Sequence, residues 1–181
     1  MLFAGSLGLT LSACTDEEVI TKEPTAEQLL AEGKKLSQGL DVPKDANRAA
    51  QLISRAALLG STEAQRLLGY MYSKGDGVGQ DLIRSAEWFA EAGNHGDSES
   101  QYMLGNMYAT GHGMPKDENQ AITWLKKAAD VGYVPALLRM GELFDEGILV
   151  KSNPSYAVEC YSQALKKGEL QAAVNLGLMY E

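Results

Sequence analysis

The chain has 181 residues, of which 24 are acidic and 16 are basic, so its formal net charge at neutral pH is −8. A chain with this balance lacks the excess of Lys and Arg that displaces counterions from phosphates, and we therefore expect no nucleic-acid partner. Hydrophobic residues make up 45%, which excludes wholesale disorder, while two cysteines and two histidines are too few for a disulfide framework or a structural zinc site.

Residues 1–13 read MLFAGSLGLTLSA and contain no charged side chain. This segment is too short to cross a bilayer as a helix, which takes about 20 apolar residues, but it suits the hydrophobic core of a secretory signal peptide. Its end, Leu-Ser-Ala before Cys14, resembles the lipobox of bacterial lipoproteins. The resemblance implies that Cys14 becomes the lipidated N-terminus, although the basic region that normally opens such a signal is missing. The alternative is an unmodified cysteine after an apolar stretch.

Residues 14–25 are mostly polar and charged, and we predict that they form a tether between the lipid and the folded part. By the sorting rule of lipoproteins, an Asp directly after the cysteine retains the protein at the inner membrane. Thr15 occupies that position, which favours the periplasmic face of the outer membrane. The sequence thus predicts a protein of the bacterial cell envelope that reaches the membrane through a lipid anchor.

From residue 26 onwards the sequence repeats itself every 36 residues, and glycines mark the period most clearly. The glycine series are Gly33, Gly69, Gly105, Gly141 and Gly177; Gly39, Gly75, Gly111 and Gly147; Gly60, Gly96, Gly132 and Gly168; and Gly77 with Gly113. An aromatic series follows the same register: Tyr72, Tyr108, Phe144 and Tyr180. Trp88 and Trp124 also share it, and Cys160 takes their place in the next unit.

One unit, residues 64–96, predicts a pair of helices. Gly69 lies within an apolar stripe of the first helix, where glycine costs about 1 kcal/mol relative to alanine, so we expect another helix to approach closely there. Gly75 is expected to end this helix in the left-handed conformation, and Asp81 to cap the second helix. The residues of the two apolar stripes are Ala64, Leu67, Leu68, Met71 and Tyr72, then Ser85, Trp88, Phe89 and Ala92.

This unit resembles the Sel-one-like repeat family, a relative of the tetratricopeptide repeat. The family pattern A-x3-LG-x2-Y-x2-G-x-GV-x2-D-x3-A-x2-W-x3-A-x3-G appears here as Ala64, Leu68, Gly69, Tyr72, Gly75, Gly77, Val78, Asp81, Ser85, Trp88, Ala92 and Gly96, and recurs from Ser100 to Gly132. The resemblance implies an all-α fold, a right-handed α-solenoid of helix hairpins with a 36-residue period. The predicted units are 26–63, 64–99, 100–135, 136–171 and a partial unit, 172–181.

The first and fourth units depart from the pattern. Asp41 and Leu149 replace the second glycine, and Cys160 replaces the tryptophan, where we expect a buried thiol. On the last helix Val174, Leu178 and Met179 are expected to be poorly covered, which is typical of a truncated array.

Nothing in the sequence indicates catalysis, and we predict no enzyme activity, no cofactor and no metal. The glycine pairs are turn residues in repeat register, no G-x-S-x-G elbow is present, and His95 and His112 lie far apart in that register. The alternative is a cell-envelope hydrolase of the β-lactam or cell-wall type, because cysteine-rich members of the resembled family are linked to β-lactams. Those members carry paired cysteines in each repeat, which this chain lacks.

The prediction for function is therefore a scaffold that binds a protein or peptide. In tetratricopeptide-like stacks the first helices line the concave groove, and residues there that escape the motif are candidate contacts. They are Arg66, Tyr70, Lys74, Tyr102, Asn106, Leu138 and Glu142. We expect Arg66, Tyr70 and Tyr102 to contribute most, because Arg and Tyr are enriched at interface hot spots. The alternative is that these are ordinary solvent-facing residues. The sequence does not specify the oligomeric state.

Overall fold

A computed structural model describes residues 23–180, so the predicted signal peptide, Cys14 and most of the tether lie outside the described residues. Within this range the chain forms nine α-helices and no β-strand. The helices are α1 (Ala26–Gln38), α2 (Ala46–Leu58), α3 (Thr62–Lys74), α4 (Leu82–Asn94), α5 (Ser98–Thr110), α6 (Glu118–Asp130), α7 (Val134–Glu146), α8 (Pro154–Lys166) and α9 (Leu170–Met179). No helix in the described part is long and apolar enough to cross a membrane.

The helices form four hairpins followed by α9, and each helix packs chiefly against its neighbours in sequence. The predicted all-α solenoid of helix hairpins is therefore confirmed. Helices α3, α5, α7 and α9 begin two residues before the predicted unit starts at 64, 100, 136 and 172. The difference arises because the repeat motif begins at a buried small residue such as Ala64, which already lies inside the first helical turn.

Caps at both ends of the helices explain why the hairpins recur so regularly. The side chains of Asp45, Asp81, Asp117 and Asn153 accept backbone N–H bonds at the start of the second helices. Gly39, Gly75, Gly111 and Gly147 end the first helices with φ of 71–76°. At the second glycine position Asp41 and Leu149 also adopt positive φ, 59° and 63°, at a cost of about 1–2 kcal/mol each. The turn is thus kept where its glycine is lost.

The glycine inside each first helix admits a large side chain from the second helix of the same hairpin. A Cβ at Gly69 would lie 2.9 Å from the Phe89 ring, and one at Gly105 would lie 2.7 Å from Leu125 Cγ. The same pairing joins Gly33 to Ile53 and Gly141 to Tyr161. The close approach predicted from Gly69 is confirmed, and it recurs in every complete hairpin of the described chain.

The tryptophan position is less buried than the residue that follows it. Phe89 and Leu125 are inaccessible to solvent, whereas Trp88 is only partly buried and Trp124 lies at the edge of the core. The apolar stripe predicted from the sequence contains both Trp88 and Phe89 and does not indicate which of the two is more buried. In the fourth hairpin Cys160 is buried as expected. Burial raises the pKa of its thiol to about 11, so the thiol stays protonated at neutral pH.

The last helix has no second helix against it within the described residues. Leu170, Val174 and Leu178 are exposed, and no described heavy atom lies within 4 Å of a Cβ built at Gly177. The expectation of poor cover is confirmed for Val174 and Leu178, while Met179 is partly buried. Tyr180 is 76% exposed, whereas Tyr72, Tyr108 and Phe144 of the same series are partly buried, because each of those three lies in a complete hairpin and Tyr180 does not have a second helix beside it within the described residues.

Candidate partner-binding surface

The predicted contact residues all lie on the first helices of the hairpins, and the face that α1, α3, α5, α7 and α9 form is called here the first-helix face. Helix α3 contributes Arg66, Tyr70 and Lys74 to it, at successive turns. Tyr102 and Asn106 follow on α5, and Leu138 and Glu142 on α7. Lys74 is exposed, whereas the other six are partly buried. Partial burial indicates that these side chains contact the protein itself.

Arg66 is held by two carboxylates at the N-terminus of α5. Its Nη1 donates to Glu99 Oε2 at 2.6 Å, and its Nε lies 3.3 Å from Asp97 Oδ2. Asp97 is also the N-cap of α5, where it accepts the backbone N–H of Ser100. The Arg66 side chain is only 22% exposed, so it ties α3 to α5 and does not extend freely into solvent.

Tyr70 binds the other oxygen of the same glutamate. Its hydroxyl donates to Glu99 Oε1 at 2.8 Å, and its ring meets Phe89 edge-on with centroids 5.0 Å apart. Burial, followed by the hydrogen bond and the negative charge of Glu99, raises the pKa of Tyr70 well above its usual range. Lys74 Nζ lies 6.0 Å from the centroid of the Tyr70 ring, at the outer limit of a cation–π contact.

Tyr102 extends this arrangement towards Tyr133, the N-cap residue of α7. Its ring packs on Tyr133 with centroids 5.7 Å apart. Tyr102 lies one helical turn after Glu99 on α5, and burial and the nearby charge of Glu99 raise the pKa of Tyr133. Six residues thus form one group, called here the Glu99 cluster: Arg66, Tyr70, Asp97, Glu99, Tyr102 and Tyr133. With one positive and two negative side chains, the cluster has an excess of one negative charge.

The remaining predicted residues do not join the Glu99 cluster. Leu138 packs against the core of the last two hairpins, and Glu142 accepts a hydrogen bond from Arg139 Nη1, at 3.1 Å, within its own helix. Asn106 lies one turn after Tyr102, with its side chain partly buried. The structure therefore brings together Arg66, Tyr70 and Tyr102 of the predicted set.

Asp97, Glu99 and Tyr133 were missed by the sequence reasoning. A signal for Glu99 was available, because Glu63 precedes it by 36 residues and forms an ion pair with Lys34, the residue that precedes Tyr70 by the same interval. Comparing both positions in register would have paired α1 with α3 and α3 with α5 through this glutamate, whereas Pro135 occupies the equivalent position on α7.

His95 holds a structural position, whereas His112 is exposed. His95 Nδ1 lies 3.2 Å from Gln65 Oε1, and the amide of this buried glutamine donates to Ala57 O. One repeat later Gln101 Nε2 donates to a carbonyl in the same way, but Val131 stands where His95 would be, and Gln101 Oε1 has no hydrogen-bond partner in the described part of the chain. Residues 23–180 contain no group of three or more His, Cys, Asp or Glu side chains that could hold a metal ion.

Comparisons with known proteins agree with this architecture. Residues 26–61, 62–97, 98–133 and 134–169 each match the family model of the Sel1 repeat. No curated protein matches the chain. Among solved structures, a protective antigen of uropathogenic Escherichia coli with an SLR fold is 34% identical, with a TM-score of 0.82 over 86% of this chain. A Sel1 repeat protein from Oxalobacter formigenes is 29% identical, with a TM-score of 0.76 over 81% of this chain.

An immunity protein of Pseudomonas aeruginosa is more distant, at 25% identity and a TM-score of 0.58 over 87% of this chain. The aligned region covers 33% of the Escherichia coli antigen, and 60% of both the Oxalobacter and the Pseudomonas proteins. The chain therefore corresponds to only part of the length of these relatives.

Proposed function

The chain belongs to the Sel1 repeat family, whose members commonly mediate protein–protein contacts, and we propose that it is a non-catalytic scaffold that binds a partner segment along its first-helix face. The observation that carries the proposal is the Glu99 cluster. Three tyrosines and one arginine gather there, on positions that the repeat motif leaves free, and both residue types are enriched at interface hot spots.

The contacts inside the cluster favour binding. Because Glu99 accepts hydrogen bonds from both Arg66 and Tyr70, these long side chains are already ordered before a partner arrives. Ordering a flexible side chain at an interface costs about 0.5–1.5 kcal/mol, and a pre-ordered cluster avoids much of that cost. The excess negative charge further favours a partner segment with a basic residue at this point.

Site-specific photocrosslinking would test the use of this face. A benzophenone amino acid placed at Asn106, one turn from Tyr102, should capture a discrete partner from intact cells. The same amino acid at Thr123, which is exposed on the second helix α6, is the control and should not capture it. Capture at Thr123 in place of Asn106 would assign recognition to the second helices.

Purified partner then permits a quantitative test. Tyr102→Ala should weaken binding at least about fivefold, which corresponds to roughly 1 kcal/mol and is the threshold for a significant interface residue. Thr123→Ala, a truncation at an exposed position of the second helix α6, is the control and should leave affinity unchanged. Equal affinities for wild-type protein and Tyr102→Ala, with unaltered helical circular dichroism, would contradict the proposal.

The location proposed for this scaffold is the periplasmic face of the outer membrane, through acylation of Cys14. The support is the apolar segment that ends in Leu-Ser-Ala before Cys14, together with Thr15 in place of an aspartate. Cys14→Ser should move the protein from the membrane fraction to the soluble fraction, or leave it unprocessed. The matched control is Cys160→Ala, which removes the other cysteine and should leave the protein in the membrane fraction. Wild-type protein that enters the aqueous phase on detergent phase separation would contradict the anchor.

A further inference from the structure

A groove separate from the Glu99 cluster is lined by residues of α2, α3 and α4. Its volume is 740 Å³, and its lining includes Leu58, Tyr72, Glu87, Trp88 and Glu91. Trp88 packs against the N-terminal core on one side, yet it is only partly buried and also lines the groove. This groove, called here the Trp88 groove, therefore presents an aromatic surface beside two carboxylates.

One repeat later, a lysine of the chain itself covers the equivalent aromatic surface. Trp124 occupies the position equivalent to Trp88, and Lys127 Nζ lies 3.9 Å from the centroid of its ring, a close cation–π contact. The residue equivalent to Lys127 in the preceding repeat is Glu91. Since a carboxylate cannot replace the ammonium, Trp88 lacks the cation that covers Trp124, and no other described side chain forms a cation–π contact with it.

The charges of the groove favour a cation from outside. Arg84 Nη1 donates to the Tyr72 hydroxyl at 3.3 Å, and Arg84 Nε lies 3.5 Å from a carboxylate oxygen of Asp81, the N-cap residue of α4. The Asp81 carboxylate therefore offsets the positive charge of Arg84. Within residues 23–180, Glu87 forms no ion pair, and Glu91 approaches only the ring of His95, at 4.0 Å. Glu87 and Glu91 line the groove together with Arg84, and neither carboxylate forms an ion pair with a Lys or Arg among the described residues.

We propose that the Trp88 groove binds a lysine side chain of a partner protein, with the ammonium over the Trp88 indole and paired with Glu91. The partner's lysine would reproduce, between two molecules, the contact that Lys127 and Trp124 make within one. This site does not depend on the proposed use of the Glu99 cluster, because the lining of the groove includes none of the six residues of that cluster.

The test uses the full chain and a defined probe, the peptide acetyl-Gly-Lys-Gly-Lys-Gly-amide. The two indole N–H signals in the ¹⁵N NMR spectrum report Trp88 and Trp124 separately, and Trp124→Phe assigns them. Titration should shift the Trp88 signal in a saturable way and leave the Trp124 signal in place. The same peptide with both lysines acetylated should bind at least about tenfold more weakly, because it lacks the charge of the cation–π contact.

Paired variants distinguish this site from general attraction to an acidic protein. Glu91→Lys should cover Trp88 as Lys127 covers Trp124 and weaken binding at least about tenfold, whereas Glu146→Lys, the same charge change at an exposed residue outside the groove, should alter it less than about twofold. Lys127→Glu should uncover Trp124 and cause its indole signal to respond, which tests the proposal even if Glu91→Lys perturbs folding. Equal losses in the two lysine variants, or an unmoved Trp88 signal, would overturn the proposal.

Discussion

Replacing Gly105 by alanine is the sharpest test of the packing between the helices of a hairpin. The new methyl carbon would lie 2.7 Å from Leu125 Cγ and 3.1 Å from the backbone oxygen of Ala121. Ordinary contacts of carbon atoms are about 3.5–4.0 Å, so the overlap with Leu125 is on the order of 1 Å. Leu125 is inaccessible to solvent, and a backbone oxygen of α6 cannot rotate away, so the two helices must separate.

Two opposing effects set the expected size of the change. Alanine is favoured over glycine in a helix interior by about 0.8–1.0 kcal/mol, whereas overpacking a tight core costs about 1–3 kcal/mol. We expect the second effect to prevail, with a net loss of about 1–2 kcal/mol in the free energy of unfolding. At Gly177, where no described atom lies within 4 Å, only the first effect applies, and alanine should stabilise by up to about 1 kcal/mol.

Urea unfolding followed by circular dichroism measures both variants against the wild type. Gly105→Ala should lower the midpoint and Gly177→Ala should raise it. The double variant Gly105→Ala with Leu125→Ala should lose less than the sum of its single changes, because removing the leucine makes room for the methyl group. A Gly105→Ala protein as stable as the wild type would refute the steric argument, since helix propensity would then outweigh the overlap.

Three further predictions concern buried polar groups. Ser100→Ala should raise the thermal midpoint by removing a buried hydroxyl that has no hydrogen-bond partner among the described residues, a gain of about 1 kcal/mol. Val131→His should stabilise by a similar amount, because the imidazole would donate to Gln101 Oε1 as the equivalent histidine does one repeat earlier; an unchanged midpoint would count against this. Burial raises the pKa of Cys160 from 9.0 to about 11 and that of Tyr161 from 10.0 to about 12 in the folded protein. Their contribution to stability is therefore complete below pH 9 and is lost as the pH rises through 11 and 12. Urea midpoints measured at alkaline pH should fall accordingly.

The regular parts of the fold were accessible from the sequence because they depend on local chemistry. Gly75 ends its helix and Asp81 caps the next, and both effects act within a few residues of the chain. Gly69 was informative for a related reason. A glycine inside an apolar stripe lowers helix stability, so its presence indicates that a neighbouring side chain packs against the helix backbone there, and in the structure that side chain is Phe89.

The candidate sites could not be derived in the same way. Arg66 and Glu99 are 33 residues apart, and their contact depends on the offset between neighbouring hairpins, which a 36-residue period does not specify. The sequence also could not rank Trp88 and Phe89, because two adjacent apolar residues on a helix differ by about 100° in direction and only the position of the next helix decides which one is buried.

The glycine contacts also bear on how such an array changes during evolution. Gly33 with Ile53, Gly69 with Phe89, Gly105 with Leu125 and Gly141 with Tyr161 each join two residues 20 positions apart within a single hairpin. A duplication or deletion of 36 residues therefore inherits both members of a pair together, even when the large residue differs between copies. A duplication or deletion of a single helix would instead separate the two members of a pair. The array is thus free to gain and lose whole hairpins while its inner surfaces continue to diverge.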